Sequence, residues 1–592
     1  MGTGLWRSGG EAGVMDTSRG EIAMTKMRCG VAAVEALRAV GVTTIFGLMG
    51  SSTLEIYDAL YDATDFTYIG VRHENCGMHM ADAYGRVTQT PGVFICGQAG
   101  PGAANMVLGL AQAKLAYAPV VVLTGLAATE HLGRDTFQEI DQHVLFQPVT
   151  KRTFSVPRPE RIPEFILEAF RVANAGRRGP VVVNIPRDLF NHEIDVTLPV
   201  PGGQPVVASG AVDGATLEHI KALLLAARAP VIHAGAGIKW GRGTANLLKL
   251  AEALQLPITT SAGHGDLAPV DHPLYAGGVG PRGNPVASRL TREADCLLAL
   301  GTRLGFNTTF YRYTDIAPTA RIVQVDIDPL AIGRYFPVVL GVVADAGTVA
   351  GALADLIEPR VAETVPWHAR NAKFRQERDA LLQQREHAGA STRTPLHPDR
   401  IYAELRQVAP RDALFTLDAG TTGLQATDQL PYRTVPALLT PLDCGMIGFS
   451  YAAGLGAKVA APQRTVMSLM GDGGFGMTMG EMATAVMHNI ATIAIVMDNG
   501  TWGSEIAYQR DFYNQRYIGA HVLSPRFDEV MKLCGGNGYF ATEPGDTAEA
   551  VRQAMQDGKP AVIHVKVDPD AVLSFRRDAL QKRVLLQEPP VI

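Results

Sequence analysis

The stretch Thr465-Val-Met-Ser-Leu-Met-Gly-Asp-Gly-Gly-Phe-Gly476, answered further on by Thr492-Ile-Ala-Ile-Val-Met-Asp-Asn-Gly500, decides the fold. Thr465–Met470 and Thr492–Met497 read as strands and Met479–Met487 as the helix between them. The strands are largely apolar rather than alternating, which marks a βαβ crossover in a parallel sheet buried on both faces. Asp472 stands just after the first strand and Asn499 just after the second. Both therefore fall at the carboxyl edge of the sheet, where such folds bind ligands. One hard anion with one neutral oxygen suits Mg²⁺, which completes an octahedron from phosphate, carbonyl and water. Glycines around Asp472 let the backbone approach a diphosphate, and the following helix offers its first N–H groups. An ordinary Gly-rich turn is the plainer alternative for Gly-Asp-Gly alone.

Outward from this segment the same alternation repeats along the chain. Strands are expected at Thr44–Phe46, Thr67–Val71, Gly92–Cys96, Val120–Leu123 and Val181–Ile185, with helices such as Gly30–Val40 and Ala103–Ala116 between them. The Pro/Gly-rich run Leu198-Pro-Val-Pro-Gly-Gly-Gln-Pro205 closes that unit. A second unit carries strands at Pro230–His233, Cys296–Leu300 and Arg321–Asp326. The charged stretch Trp367–Arg393 reads as an exposed helix and crossing linker. A third unit adds Leu414–Leu417 and Ala561–Val565 to the opening segment. The fold class is α/β, with three doubly wound parallel-sheet domains. The expected division is an N-terminal extension at 1–26, a first domain at 27–200, a central domain at 208–360, a linker at 361–397, a third domain at 398–570 and a tail at 571–592.

Composition narrows the classes. The 592 residues are 47% hydrophobic and 19% charged, which fits a multidomain globular protein. A net charge of −5 offers no general attraction to nucleic acid. No apolar run reaches a membrane span, and the first residues lack the apolar core of a secretory signal. The six cysteines show no C-x-x-C pair and no nearby histidine cluster, so neither a disulfide framework nor a zinc site is expected. The expected location is the cytoplasm, without nucleic-acid or membrane partners.

Gly-Asp-Gly, 24 intervening residues and then Asp-Asn resembles the fingerprint of thiamine-diphosphate (ThDP) enzymes, in which Asn-Asn is usual and Asp498 is a departure. The stretches Val71-Arg-His-Glu-Asn-Cys-Gly-Met-His-Met-Ala-Asp-Ala-Tyr-Gly85, Gly97-Gln-Ala-Gly-Pro-Gly-Ala-Ala-Asn105 and Cys444-Gly-Met-Ile-Gly-Phe449 extend the likeness over the chain beyond residue 27. The resemblance implies ThDP and Mg²⁺ as cofactors, a pyrimidine-binding first domain and a diphosphate-binding third domain. It further implies a homodimer or homotetramer with active sites between subunits.

Roles follow from the resemblance residue by residue. Asp472, Asn499 and the Thr501 carbonyl would ligate Mg²⁺. Glu74 would activate the aminopyrimidine ring of a neighbouring subunit's cofactor, although by type alone it equally suits a helix N-terminus. Gly445 would accept from the 4′-amino group and Ile447 would support the bent cofactor, a position that an ordinary buried Ile also satisfies. Gly50, Gln98, Gly420, Thr421, Gly471, Gly473, Gly474, Trp502 and Gly503 would complete the cofactor site. Gln138 and Glu505 are the other catalytic candidates, Glu505 as a proton relay or as a solvated helix residue. Ser51, Phe137, Arg576 and Arg577 are substrate candidates, the two arginines on a tail that either closes as a lid or is simply solvated.

The nearest branch is that of sulfoacetaldehyde acetyltransferase, with acetolactate synthase further off. It is carried by Gly47-Leu-Met-Gly-Ser51, Asn184-Ile-Pro-Arg-Asp188, Trp502-Gly-Ser-Glu505, Asp511-Phe-Tyr-Asn514 and Phe575-Arg-Arg-Asp-Ala-Leu580. That branch is expected to expel sulfite from sulfoacetaldehyde and pass acetyl to phosphate. Two lysines usual after Glu505 are replaced here by Ile506-Ala507, which weakens the case for a small sulfonate. A 2-hydroxyacyl-CoA lyase and a 2-oxoacid decarboxylase or acetolactate-synthase-like carboligase therefore remain open. A catalytically silent regulatory subunit would be expected to lose Glu74, Asp472 or Asn499, and all three are present. In the central domain His233-Ala-Gly-Ala-Gly237 and Val325-Asp-Ile-Asp328 read either as tight turns or as traces of an FAD or ADP site.

Overall fold

The computed structural model describes residues 25–198, 210, 212–280, 283–310, 313–358 and 361–574. Arg576, Arg577 and nearly all of the N-terminal extension lie outside them. Thr25–Arg28, whose first two residues were expected in that extension, instead forms a strand paired antiparallel with Glu193–Val196.

Three six-stranded sheets, every pairing parallel, carry the rest. In the first unit the spatial order is Thr67–Gly70, Thr44–Leu48, Gly92–Cys96, Val120–Leu126, Pro180–Pro186, Arg152–Ser155. In the third it is Leu438–Leu439, Leu414–Leu417, Val466–Gly471, Ile493–Asp498, Ala561–Lys566, Asn537–Ala541. Counted within each unit, both read 2-1-3-4-6-5, so two distant parts of the chain share one topology. The central sheet, built around Pro230–Ala234, Cys296–Leu300 and Arg321–Asp326, runs 3-2-1-4-5-6 instead.

The strands form where the apolar runs predict them, because a parallel strand covered on both faces rewards an unbroken β-branched run. Val120–Leu126 is buried at all but its last position. The short edge strands Arg152–Ser155, Leu340–Val343, Leu438–Leu439 and Asn537–Ala541 carry no such run and were not anticipated. The expected Ala103–Ala116 helix is divided into Pro101–Asn105 and Val107–Leu115. Met479–Met487 shortens to Glu481–Met487, and a separate short helix spans Asp472–Gly476.

One apolar cluster joins the first and third units, uniting Phe46, Met80 and Phe94 with Tyr451, Phe475 and Val562. At its heart the Glu74–Thr88 helix crosses the Ser450–Ala460 helix. A Cβ on Gly456 would lie 2.1 Å from the Met80 carbonyl oxygen, so only glycine allows this approach. Glu481 of the third unit completes the junction. Its carboxylate accepts the N–H groups of Arg72 and His73 at 3.0 and 3.1 Å, immediately before the helix that starts with Glu74.

Candidate functional site

The sheet order places the site. In a 2-1-3-4 arrangement the crevice opens between strands 1 and 3, where the outgoing loops part. In the third unit those loops carry Asp418–Thr421 and Gly471–Gly474, and the neighbouring strand delivers Asn499. The register sets Gly471 beside Met497, so Asp472 and Asp498 emerge side by side.

Asp472 is 1% exposed. Its Oδ2 accepts from the Ser524 hydroxyl at 2.7 Å, while Oδ1 is buried without a partner among the described residues. Burial raises its pKa, with Asp498 adding to the same direction against the Ser524 hydrogen bond. Asn499 Oδ1 accepts from the Thr501 N–H at 3.0 Å. Thr501 pairs with His521, Trp502 N–H donates to the Ala520 carbonyl at 2.8 Å, and the returning segment brings Ser524 to Asp472.

The glycines show why the backbone must be bare here. A Cβ on Gly473 would meet the Trp502 ring at 2.4 Å, and one on Gly503 would lie 3.1 Å from Thr421 Oγ1 and 3.4 Å from Asn499 Nδ2. Cβ atoms on Gly420, Gly445 and Gly471 would meet nothing within 4 Å. Thr421, Asp472, Gly473, Asn499, Trp502 and Gly503 are thus one cluster around open space. The fit to a metal-bound diphosphate is good: a buried carboxylate oxygen without a partner among the described residues, the Asn499 amide on the adjoining loop and bare backbone facing open space are the donors a hard cation and its phosphates require.

Asp418 holds this cluster together and escaped the sequence reading, which took only Gly420 and Thr421 from its loop. Buried, it accepts the N–H groups of Gly448, Phe449 and Ser450 at 2.8, 2.8 and 2.7 Å. Burial pushes its pKa up to about 6 against those three donors. A Cβ on Gly474 would come within 2.3 Å of Asp418 Oδ2. One carboxylate therefore ties the turn bearing Gly445 and Ile447 to the Asp418–Thr421 and Gly471–Gly474 loops. Gly445 and Gly448 each have φ of +80°, the left-handed conformation that glycine adopts without strain. Gly445 is exposed and Ile447 half-buried.

The first unit repeats the geometry at its own switch point. Ser51 N–H donates to Gln98 Oε1 at 3.0 Å, and Gln98 Nε2 donates to Gln138 Oε1. A Cβ on Gly50 would lie 2.6 Å from that Gln98 oxygen. Gln138 has φ of +65°, and its carbonyl packs beneath Gly100, so this side chain is held by backbone strain and close packing. The preceding Phe137 is 85% exposed. Glu74 is 7% exposed and its Oε2 accepts from Asn105 Nδ2 at 2.9 Å, a partner the sequence reading quoted within a turn without assigning it a role.

The structure thus gathers the candidates in two groups on different units. Glu74, Gly50, Ser51, Gln98, Phe137 and Gln138 belong to the first, and Gly420 through Gly503 to the second. Glu505 is exposed on the first turn of the Gly503–Phe512 helix, with Ile506 half-buried and Ala507 buried where the branch's lysines were expected. Arg510 donates to the carbonyls of Asp570 and Val572, and Ser574 donates to Asp511 at 2.6 Å, so the chain entering the tail is tied to this helix.

Between the first and central units lies a cavity of about 1250 Å³, lined by Gly235–Gly237, Trp240, Arg178, Arg303 and Asp326 among others. Gly235 precedes a short helix, Ala236–Trp240, rather than forming a tight turn, and the Gly237 N–H donates to the Gly301 carbonyl at 2.9 Å where this segment walls the cavity. The six cysteines carry free thiols, and no helix of the described residues is long and apolar enough to cross a membrane.

Comparison with known proteins identifies the same three units. Residues 27–145 match the N-terminal TPP binding domain of thiamine pyrophosphate enzymes, 217–353 the central domain and 418–565 the C-terminal TPP binding domain. The chain is 35% identical to a sulfoacetaldehyde acetyltransferase of Castellaniella defragrans, with 94% of this chain and 96% of that one covered. It is 33% identical to a "Probable acetolactate synthase large subunit" of Methanocaldococcus jannaschii, covering 92% and 93%.

Proposed function

The chain belongs to the thiamine pyrophosphate enzyme family, and on that premise we propose that it is a ThDP- and Mg²⁺-dependent acyltransferase of the sulfoacetaldehyde acetyltransferase type. The observation that carries the cofactor assignment is the cluster of Asp472, Asn499 and bare glycine backbone at the switch point of the third sheet. The similarity over nearly the whole chain to a protein bearing that name supports the donor and the acyl transfer. Bound ThDP supplies a carbanion and an electron sink for cleavage beside a carbonyl.

This chain's residues do the rest. Asp472, Asn499 and the Thr501 carbonyl hold the cation, and Thr421, Gly420 and Gly473 bring backbone and hydroxyl to the diphosphate. Asp418 sets the turn on which Gly445 accepts an amino N–H and Ile447 supports the ring. Glu74, oriented by Asn105, shares a proton with a ring nitrogen of the cofactor. Glu74 serves a cofactor held by a second copy of the chain, so the working unit is a homodimer or homotetramer. Gln98 and Gln138 present amide groups to the substrate side, and Glu505 lies at the mouth as a proton relay.

Ile506 and Ala507 favour a second reading. Without cations on that turn, a donor less charged than a sulfonate, such as a 2-oxoacid or a 2-hydroxyacyl-CoA, meets less penalty there. The discriminating experiment offers holoenzyme sulfoacetaldehyde with phosphate, pyruvate, or a 2-hydroxyacyl-CoA, and scores sulfite, acetyl phosphate, CO₂ and formyl-CoA. Sulfite with acetyl phosphate is expected. Their absence alongside CO₂ or formyl-CoA selects the second reading.

A further inference from the structure

Asp498 stands where the family's fingerprint usually has an amide, and the fold supplies an explanation for the change. The residue is 3% exposed and ends the strand Ile493–Asp498, with Lys566 opposite it on the neighbouring strand. Asp498 Oδ2 accepts from His564 Nε2 at 2.9 Å and from the Lys566 ammonium. Asp498 Oδ1 accepts from the Gly500 N–H at 2.9 Å.

The histidine's tautomer is set from behind. The Phe527 N–H points at His564 Nδ1 at 3.2 Å, so that nitrogen is the acceptor and the ring proton sits on Nε2, directed at Asp498. Asp528, 4.0 Å from the same Nδ1, is itself engaged by Arg526 at 2.7 and 2.6 Å. An amide at 498 could still accept from Gly500, but it could not accept both a lysine and an imidazole N–H without turning its own NH₂ toward one of them. The substitution therefore matches its surroundings. Two donors on the adjacent strand demand a full carboxylate.

That carboxylate is the stem of the loop that presents Asn499 and Thr501. Beyond it Gly500 has φ of +65°, and Asn499 closes its own turn onto the Thr501 N–H at 3.0 Å. We propose that Asp498, clamped by His564 and Lys566, is a positioning residue that sets the Asn499–Thr501 loop for the cation. It does this from outside the coordination shell, since both of its oxygens are engaged elsewhere. The inference rests on the cofactor reading above.

The test measures binding in the full-length chain freed of metal and cofactor. Mg²⁺ and ThDP are titrated by calorimetry, with the change in intrinsic emission, to which Trp502 beside Gly473 contributes, followed in parallel. Wild type should bind, and failure to do so would count against the cofactor reading itself. Asp498→Asn should still fold, with a lowered melting temperature from its unmatched donors, and need about tenfold more Mg²⁺, the scale on which partners behind a metal ligand act. Its kcat at saturating Mg²⁺ should stay within about threefold of wild type, since the ligands themselves are intact. His564→Leu should weaken Mg²⁺ binding in the same direction, and His564→Gln, which can donate to Asp498 and accept from Phe527, should restore it. Wild-type Mg²⁺ affinity in folded Asp498→Asn overturns the proposal while leaving the cofactor reading intact. If Asp498→Asn does not fold, wild-type affinity in His564→Leu does the same.

Discussion

The carboxylate of Asp418 accepts the backbone N–H of Phe449 at 2.8 Å across 31 residues of chain, with Gly448 and Ser450 donating on either side. Three backbone donors on one buried carboxylate fix the Gly445–Ser450 turn to the loop that carries Asp418.

Asp418→Asn should lower stability by about 2–4 kcal/mol, because an amide cannot accept all three N–H groups and leaves buried donors unmatched. The sign of the pH effect follows from burial. With the folded carboxyl near about 6, above its ordinary value of 3.8, the folded state holds the proton more tightly than the unfolded chain does. This contribution is fully present below the ordinary value and is lost as pH rises through 6. The wild-type advantage over Asp418→Asn should therefore be larger at pH 4 than at pH 7, read by thermal melts across that range.

Gly456→Ala tests the crossing of the two central helices. Alanine would gain about 1 kcal/mol of helix propensity at this position. The new methyl, however, would stand 2.1 Å from the Met80 carbonyl oxygen and 2.5 Å from its Cα, backbone that cannot swing aside. Overpacking should dominate, with a net loss of about 2 kcal/mol or more. A variant as stable as wild type in urea unfolding would contradict this contact.

Gly473→Ala is the gentler counterpart, because its clash at 2.4 Å is with the Trp502 ring, the free end of a side chain. The protein should fold. Trp502 should be displaced, seen as a shifted emission maximum in the free protein, and ThDP affinity should fall about tenfold, roughly 1.4 kcal/mol. Unchanged emission and affinity together would place Trp502 elsewhere.

Glu74→Gln removes the carboxylate while keeping a group that Asn105 can reach. Under the proposed role it should lower kcat by a factor of about 10² to 10⁴, the usual range for a proton-transferring side chain, with the melting temperature nearly unchanged. Asn105→Ala should give a smaller loss in the same direction, since it only frees Glu74 to turn. Full turnover in folded Glu74→Gln would remove Glu74 from the chemistry.

Much of this was legible in the sequence, and the particular residues show why. The runs Val120–Leu123, Cys296–Leu300 and Ile493–Met497 are visible because a strand covered on both faces carries an unbroken apolar run, a rule that acts within one short window. Asp472 and Asn499 are visible because a βαβ crossover of near-constant length returns the second strand beside the first, turning a spacing in sequence into a proximity in space. Arg152–Ser155 and Asn537–Ala541 were missed because an edge strand, with one neighbour, needs no apolar run, whereas the edge strand Thr67–Gly70 was legible.

The sequence by itself thus determined the layers, the order of βα units and the residue types at the strand ends. Only the tertiary structure decided that Asp418 would hold the Gly448–Ser450 backbone, that Glu481 would cap the helix of Glu74, and that Asp498 would find His564 and Lys566 on the adjoining strand. The reason is physical. Apolar periodicity is a property of neighbouring positions, whereas a buried carboxylate is satisfied by whichever donors the packed sheets bring to it, and those come from chain 30 to more than 400 residues away.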